Sequence, residues 1–234
     1  MSSAKSDMAN QAIIENPQTP KSVCSMPWLG RVLVACEFSG RVRDAFQAAG
    51  WDAWSADLLP SEGPGNHYQG DVREILADGW DIMIAHPPCT HLAVSGARWF
   101  ATKRNEQAAA LQFVRDLLDA PIPHIALENP VSIISSLIRK PDQIVQPWMF
   151  GHGETKATCL WLKNLPRLKP TNIVAGREAR IHREPPGPER WKNRSRTFPG
   201  VAAAMADQWT CATRPNDQAH PTAAGGTGGA QKGL

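Results

Sequence analysis

The 234 residues are 42% hydrophobic and 20% charged, enough apolar material for one core and one domain. No apolar run approaches the roughly 20 residues that span a bilayer, and Lys5 to Glu15 is too polar for a secretory leader, so a cytoplasmic protein is expected. The five cysteines are scattered without a C-x-x-C pair, which suggests neither a disulfide framework nor a structural zinc site.

The net charge of +3 is unevenly spread. Between Lys163 and Arg196 stand ten Lys or Arg against three Glu, a net +7 that leaves −4 on the rest of the chain. Such a basic, proline-rich segment fits a phosphate backbone; a solvated charged loop is the other reading.

Residues 1–28 are polar and aperiodic and read as a disordered N-terminal tail, with a folded domain over 29–211 and a second tail, rich in Gly and Ala, over 212–234. Arg31 to Cys36, RVLVAC, reads as a strand buried on both faces. After the turn Glu37-Phe38-Ser39-Gly40, the spacing of Val42, Ala45, Phe46 and Ala49 predicts a helix stopped at Gly50. Strand, glycine turn and helix open a nucleotide-binding unit whose helix amides face the ligand edge. A second strand, Asp52 to Ala56, delivers Asp57 about where such folds place a ribose-binding acid, or else a turn cap. Ser61 to Tyr68 reads as a loop, and Asp71 as the N-cap of a helix reaching about Leu76.

Asp81 to Ala85 is an apolar strand broken by Pro87 and Pro88, with Cys89 just beyond. Two prolines fix two φ angles and make a stiff platform, which suits a nucleophile; a small buried hydrophobe is the plainer reading of Cys89. Lys103 to Leu118 has helical spacing, His124 to Leu127 forms another strand, and Glu128-Asn129-Pro130 repeats the pattern of a buried strand, a proline stop and a polar residue at the ligand edge. Lys156 to Leu162 reads as a strand and Val201 to Trp209 as an Ala-rich helix. A cysteine and a carboxyl converging from one sheet edge form a recognisable catalytic constellation.

His86-Pro-Pro-Cys89-Thr-His-Leu-Ala-Val-Ser-Gly96 resembles the nucleophile loop G-P-P-C-Q-x-F-S-x-x-G of the cytosine-5 DNA methyltransferases. Glu128-Asn129-Pro130 is similar to that family's E-N-V segment, Gly70-Asp71-Val72 to its G-D-I segment, and Phe150-Gly151 through Leu162, more loosely, to its Y-G-x-P-Q-x-R-x-R strand. The family's F-x-G-x-G-G loop stands here as Cys36-Glu37-Phe38-Ser39-Gly40-Arg41 with one glycine; His86, Thr90 and Pro130 replace Gly, Gln and Val. Only a short stretch separates Leu165 from Arg194, where the family inserts a target-recognition domain, so the chain looks like a compact phage or prophage member.

The resemblance implies an α/β fold of the Rossmann-like methyltransferase kind, with a mostly parallel sheet, helices on both faces, and S-adenosylmethionine (SAM) as cofactor. It implies Cys89 as the nucleophile at cytosine C6 and Glu128 on the N3/N4 edge. Glu37, Phe38, Ser39, Gly40, Asp57, Asp71, Val72 and Pro87 become cofactor residues, and Lys156, Arg194 and Arg196 hold phosphates of DNA, duplex or single-stranded. No metal, no membrane and a monomer are expected.

Other readings remain: a degenerate SAM-fold nucleic-acid-binding protein, an amino (N4 or N6) DNA methyltransferase keeping the Pro-Pro frame, another cytosine C5 modifier or a nucleotide enzyme, and a His86-Cys89-His91 metal cluster. A zinc deaminase is discarded, because Pro88-Cys89 lacks the second cysteine of P-C-x-x-C.

Overall fold

The structure, a computed structural model, describes residues 29–213; the tails expected at 1–28 and beyond Thr213 lie outside the described residues. Its strands are β1 Arg31–Ala35, β2 Asp52–Asp57, β3 His67–Gln69, β4 Ile82–Ala85, β5 His124–Pro130, β6 Gln143–Val145 and β7 Thr158–Lys163. The helices are α1 Arg41–Ala48, α2 Arg104–Leu118, α3 Ile134–Leu137, α4 Arg180–Arg183, α5 Arg190–Ser195 and α6 Pro199–Thr213. No helix among the described residues is long and apolar enough to cross a membrane.

One sheet holds all seven strands in the order β3-β2-β1-β4-β5-β7-β6. β1 to β5 run parallel, while β7 is antiparallel to both β5 and β6. The chain builds outward from β1 to β3, then crosses to β4 and β5 on the other side. That reversal opens a crevice beyond the carboxyl ends of β1 and β4, the place where open α/β sheets take ligands.

Every residue of β4, and all of β1 but Arg31, is buried, which explains their unbroken apolar runs. On one face Val32, Val34, Ile82 and Ile84 pack under Val42 and Phe46 of α1 and Met205 and Trp209 of α6. On the other, Leu33, Met83, Ile125 and Leu127 meet Val114 and Leu117 of α2. The two alternating sets of one sheet thus each have their own helical cover.

Several expectations are corrected. Pro130 does not stop β5: the strand continues through Glu128, Asn129 and Pro130, paired only with β7, since its ladder with β4 ends at Leu127. A proline there costs no bond on the β4 side. The helix expected from Asp71 is one 3-10 turn, Val72–Glu74, although Asp71 does cap it through the Arg73 amide at 3.0 Å. The loop expected over Ser61 to Tyr68 ends in β3, and β6 was too short to leave a period in the sequence. α6 runs to Thr213, so residues 212 and 213 are helical rather than tail.

Candidate active site

At the β1 edge the backbone turns sharply: Cys36 takes φ 60° and Gly40 φ 72°, both left-handed. Gly40 is required there, because a Cβ would lie 2.3 Å from the Arg43 guanidinium. The turn places Glu37 inside the protein, with its carboxylate accepting from the Val42 amide at 2.8 Å, the Arg43 amide at 3.2 Å and the Ser39 hydroxyl at 3.2 Å. A negative charge on the first amides of α1 is favourable. It also corrects the expectation that those amides face a ligand, since a side chain of the protein already occupies them.

Arg43, fully buried, was not singled out in the sequence. Its guanidinium reaches the Ser55 and Ser61 hydroxyls at 3.1 Å and the Pro64 carbonyl at 2.6 Å, and pairs with Asp44 at 2.7 Å. It fastens the Ser61–Asn66 loop to α1 and β2, consistent with a planar fork of five donors.

Asp57 and Asp71 close the edges of β2 and β3. Asp57 Oδ1 accepts from the Leu59 amide at 3.0 Å, and burial raises its carboxyl above the ordinary value against that bond. Asp71 is held low, first by its hydrogen bond with the Arg73 side chain. Both carboxyls lie near Cys36, whose thiol is pushed up to about 12, mainly by burial and then by these two charges. Val72 is a core residue, 4% exposed.

At the β4 edge the His86 amide donates to the Ala35 carbonyl at 2.9 Å, extending the β1–β4 ladder by one residue before the two prolines end it. The Cys89 carbonyl accepts from the Leu92 and Ala93 amides at 3.0 and 2.9 Å, which fixes the turn that carries the cysteine. From β5, Asn129 Nδ2 donates to the Pro87 carbonyl at 2.9 Å, and Glu128 Oε2 lies 3.1 Å from His86 Nδ1.

A cavity of about 430 Å³ opens at this crevice, within the range of small-molecule sites. It brings together Cys89 and Glu128, Pro87 beside them, Glu37, Phe38 and Ser39 from the β1 turn, and Lys156, Arg194 and Arg196 from the basic side. Gly40, Asp57, Asp71 and Val72 are not part of its lining. The basic segment forms one wall: His182 of α4 and Trp191 of α5 line the cavity, and Trp191 packs against Phe38 with ring centroids 5.6 Å apart.

Glu128 is nearly buried. Burial alone would raise its carboxyl, but the His86 hydrogen bond, the Lys156 charge and the Thr158 hydroxyl outweigh it and hold the group below its ordinary value. The Cys89 thiol is pushed up, first by desolvation and then by the Glu128 carboxylate, against the pull of Lys156 and Arg194. Near neutral pH these two directions both favour an ionised carboxylate beside a protonated thiol.

Arg196 lines the cavity and is also tied to a carboxylate. Its guanidinium makes a two-pronged pair with Glu62, at 3.0 and 2.6 Å, and bonds Asn193 at 2.6 Å, so it ties the basic segment to the Ser61–Asn66 loop. Lys156 and Arg194 are the cations that act on the Cys89 thiol.

No family model and no curated protein matches the chain. Among solved structures, a protein encoded within an E. coli prophage and assigned as a DNA modification methyltransferase superposes on 62% of this chain and 51% of its own, at 17% identity and a TM-score of 0.41. The chain thus spans about half the length of that structure.

Proposed function

We propose that the protein is a SAM-dependent DNA methyltransferase of the Rossmann-like α/β kind that acts on C5 of cytosine through a covalent Cys89 adduct. The observation that carries this reading is the meeting of Cys89 and Glu128 in one cavity at the β1/β4 crevice, with Lys156 and Arg194 on its basic side.

Cytosine C5 is a weak nucleophile, and a sulfur–carbon bond at C6 activates it. A thiolate suits that attack because sulfur is intrinsically nucleophilic even when a small fraction is ionised. Glu128, ionised, accepts from the exocyclic amine of cytosine, a donor that thymine lacks, and so selects the base. Lys156 lies close enough to stabilise both the carboxylate and the thiolate, and Arg194 favours the thiolate as well. A base inside a duplex cannot reach this cavity, so it enters flipped or from a single strand.

The residues fit the cofactor in part. Phe38, Ser39 and Pro87 share the cavity with Cys89 and are positioned to hold its methionine end, while Asp57, with one oxygen engaged by the Leu59 amide, is the candidate for a ribose hydroxyl. Glu37, which also lines the cavity, holds the turn through the α1 amides, and Gly40 allows that turn. Asp71 is the remaining candidate for adenine. When bound, SAM supplies the methyl group.

Transfer of label from methyl-labelled SAM into duplex and single-stranded DNA, with the wild type and Cys89→Ser in parallel, tests the proposal. Label in cytosine that vanishes in the variant supports it. DNA binding without label and without SAM binding supports the second reading, a nucleic-acid-binding relative of the fold, which the Glu37 carboxylate on the α1 amides favours.

A further inference from the structure

His86 is held from three directions. Its amide continues the β1–β4 ladder, Pro87 restricts its backbone, and its Nδ1 lies 3.1 Å from Glu128 Oε2. The two side chains are 10% and 14% exposed. A carboxylate only accepts, so Nδ1 carries the proton. Among the described residues, Nε2 is buried with no hydrogen-bond partner, although His86 lines the cavity. A buried polar atom left unpaired in a native fold calls for an explanation, and a catalytic role is one.

Glu128 is surrounded by groups that favour its ionised form. Lys156 and Thr158 face it from the β7 side and His86 from the β4 side, while the thiols of Cys89 and Cys159 are close enough to be raised by its charge. Attack of Cys89 on the base creates the opposite need. As the Sγ–C6 bond forms, the C5=C6 pair moves to C4=C5 and the C4=N3 pair moves onto N3, which must gain a proton. An isolated carboxylate has none to give.

We propose that His86 is a positioning residue that passes the Nδ1 proton through Glu128 to ring nitrogen N3 of the base attacked by Cys89. The inference rests on the function proposed above. An imidazolium carries a proton on each ring nitrogen, so the ring can give up the Nδ1 proton and remain neutral. Cys89 releases its thiol proton to water as the Sγ–C6 bond forms, and the His86 imidazolium gives its Nδ1 proton to Glu128 as Glu128 gives one to N3, leaving a neutral imidazole protonated at Nε2 and a carboxylate. When C5 has taken its new substituent and lost its proton to water, the S–C6 bond breaks and the N3 proton returns by the same route.

Release of tritium from C5 of cytosine in an oligonucleotide reads the attack step without the methyl donor. The full chain would be compared with His86→Asn, whose amide occupies nearly the place of Nδ1 and donates without titrating, and with His86→Gln as a second variant. The wild type is expected to release tritium at about pH 7.5. His86→Asn should be slower there by about a hundredfold, the scale of general acid catalysis, and recover most of the gap by about pH 5.5, where solution acid protonates Glu128. Glu128→Gln should lose exchange at every pH. Wild-type rates in both folded histidine variants, or a loss equal at all pH values, would overturn the relay and leave the function standing. A wild type that releases no tritium from any DNA would overturn both.

Discussion

Asn129 Nδ2 donates to the Pro87 carbonyl at 2.9 Å, so the strand that carries Glu128 is bonded directly to the loop that carries Cys89. Asn129 is 1% exposed and the two residues are 42 apart in the chain. The bond sets the spacing of nucleophile and carboxyl more firmly than either loop could alone.

Replacing Asn129 by Ala removes that bond and leaves the Pro87 carbonyl without it. The expected cost is about 1–3 kcal/mol of stability, read as a lower midpoint in urea, with a fall in turnover larger than the fall in SAM affinity. Equal losses in the two would show that Asn129 supports the fold only.

Cys89, although exposed, should alkylate more slowly than a free model thiol at neutral pH, because its thiol is raised by desolvation and by Glu128. Glu128→Gln removes the second cause, so the iodoacetamide rate profile should move to lower pH. Lys156→Ala and Arg194→Ala remove charges that favour the thiolate and should move it to higher pH. Peptide mass spectrometry on the Cys89 fragment measures all three.

The Cys36 thiol, raised from 9.0 to about 12, gives a stability prediction with a definite sign. A group whose folded value is raised contributes stability below its unfolded value, and that contribution drains away as pH climbs through the folded one. Stability should therefore fall between about pH 9 and about pH 12, and the Cys36→Ala variant should show a shallower decline. A variant with the same alkaline slope as the wild type would assign the loss elsewhere.

Gly200 sits where a Cβ would meet the Phe150 carbonyl oxygen at 2.0 Å, and its amide donates to His152 Nε2 at 2.9 Å. Gly200→Ala must push backbone apart from backbone at the start of α6. A loss of about 1–3 kcal/mol is expected from thermal or urea unfolding.

The edges that carry Cys89 and Glu128 were legible in the sequence because β4 and β5 are short buried runs followed by polar residues, a pattern that burial on both faces imposes. The long helices were legible from their apolar spacing. What joined the edges was not. Nothing in the sequence places the Glu37 carboxylate on the α1 amides, or pairs Arg196 with Glu62, 134 residues away. His86 had a visible signal, a histidine directly before Pro-Pro-Cys, but its meaning depends on Glu128 approaching from the next strand. The course of β5 through Pro130 depended on which neighbour was missing, a fact of tertiary structure alone.

The most direct test of the central claim is to trap the Cys89 bond. With SAM and an oligonucleotide containing 5-fluorocytosine, methyl transfer leaves C5 without a proton to lose, so the adduct cannot collapse. The account predicts a protein–DNA species stable to denaturation, its mass added on the peptide that contains Cys89, and absent from Cys89→Ser. Methylated cytosine formed without any such species, or the species persisting in Cys89→Ser, would contradict it.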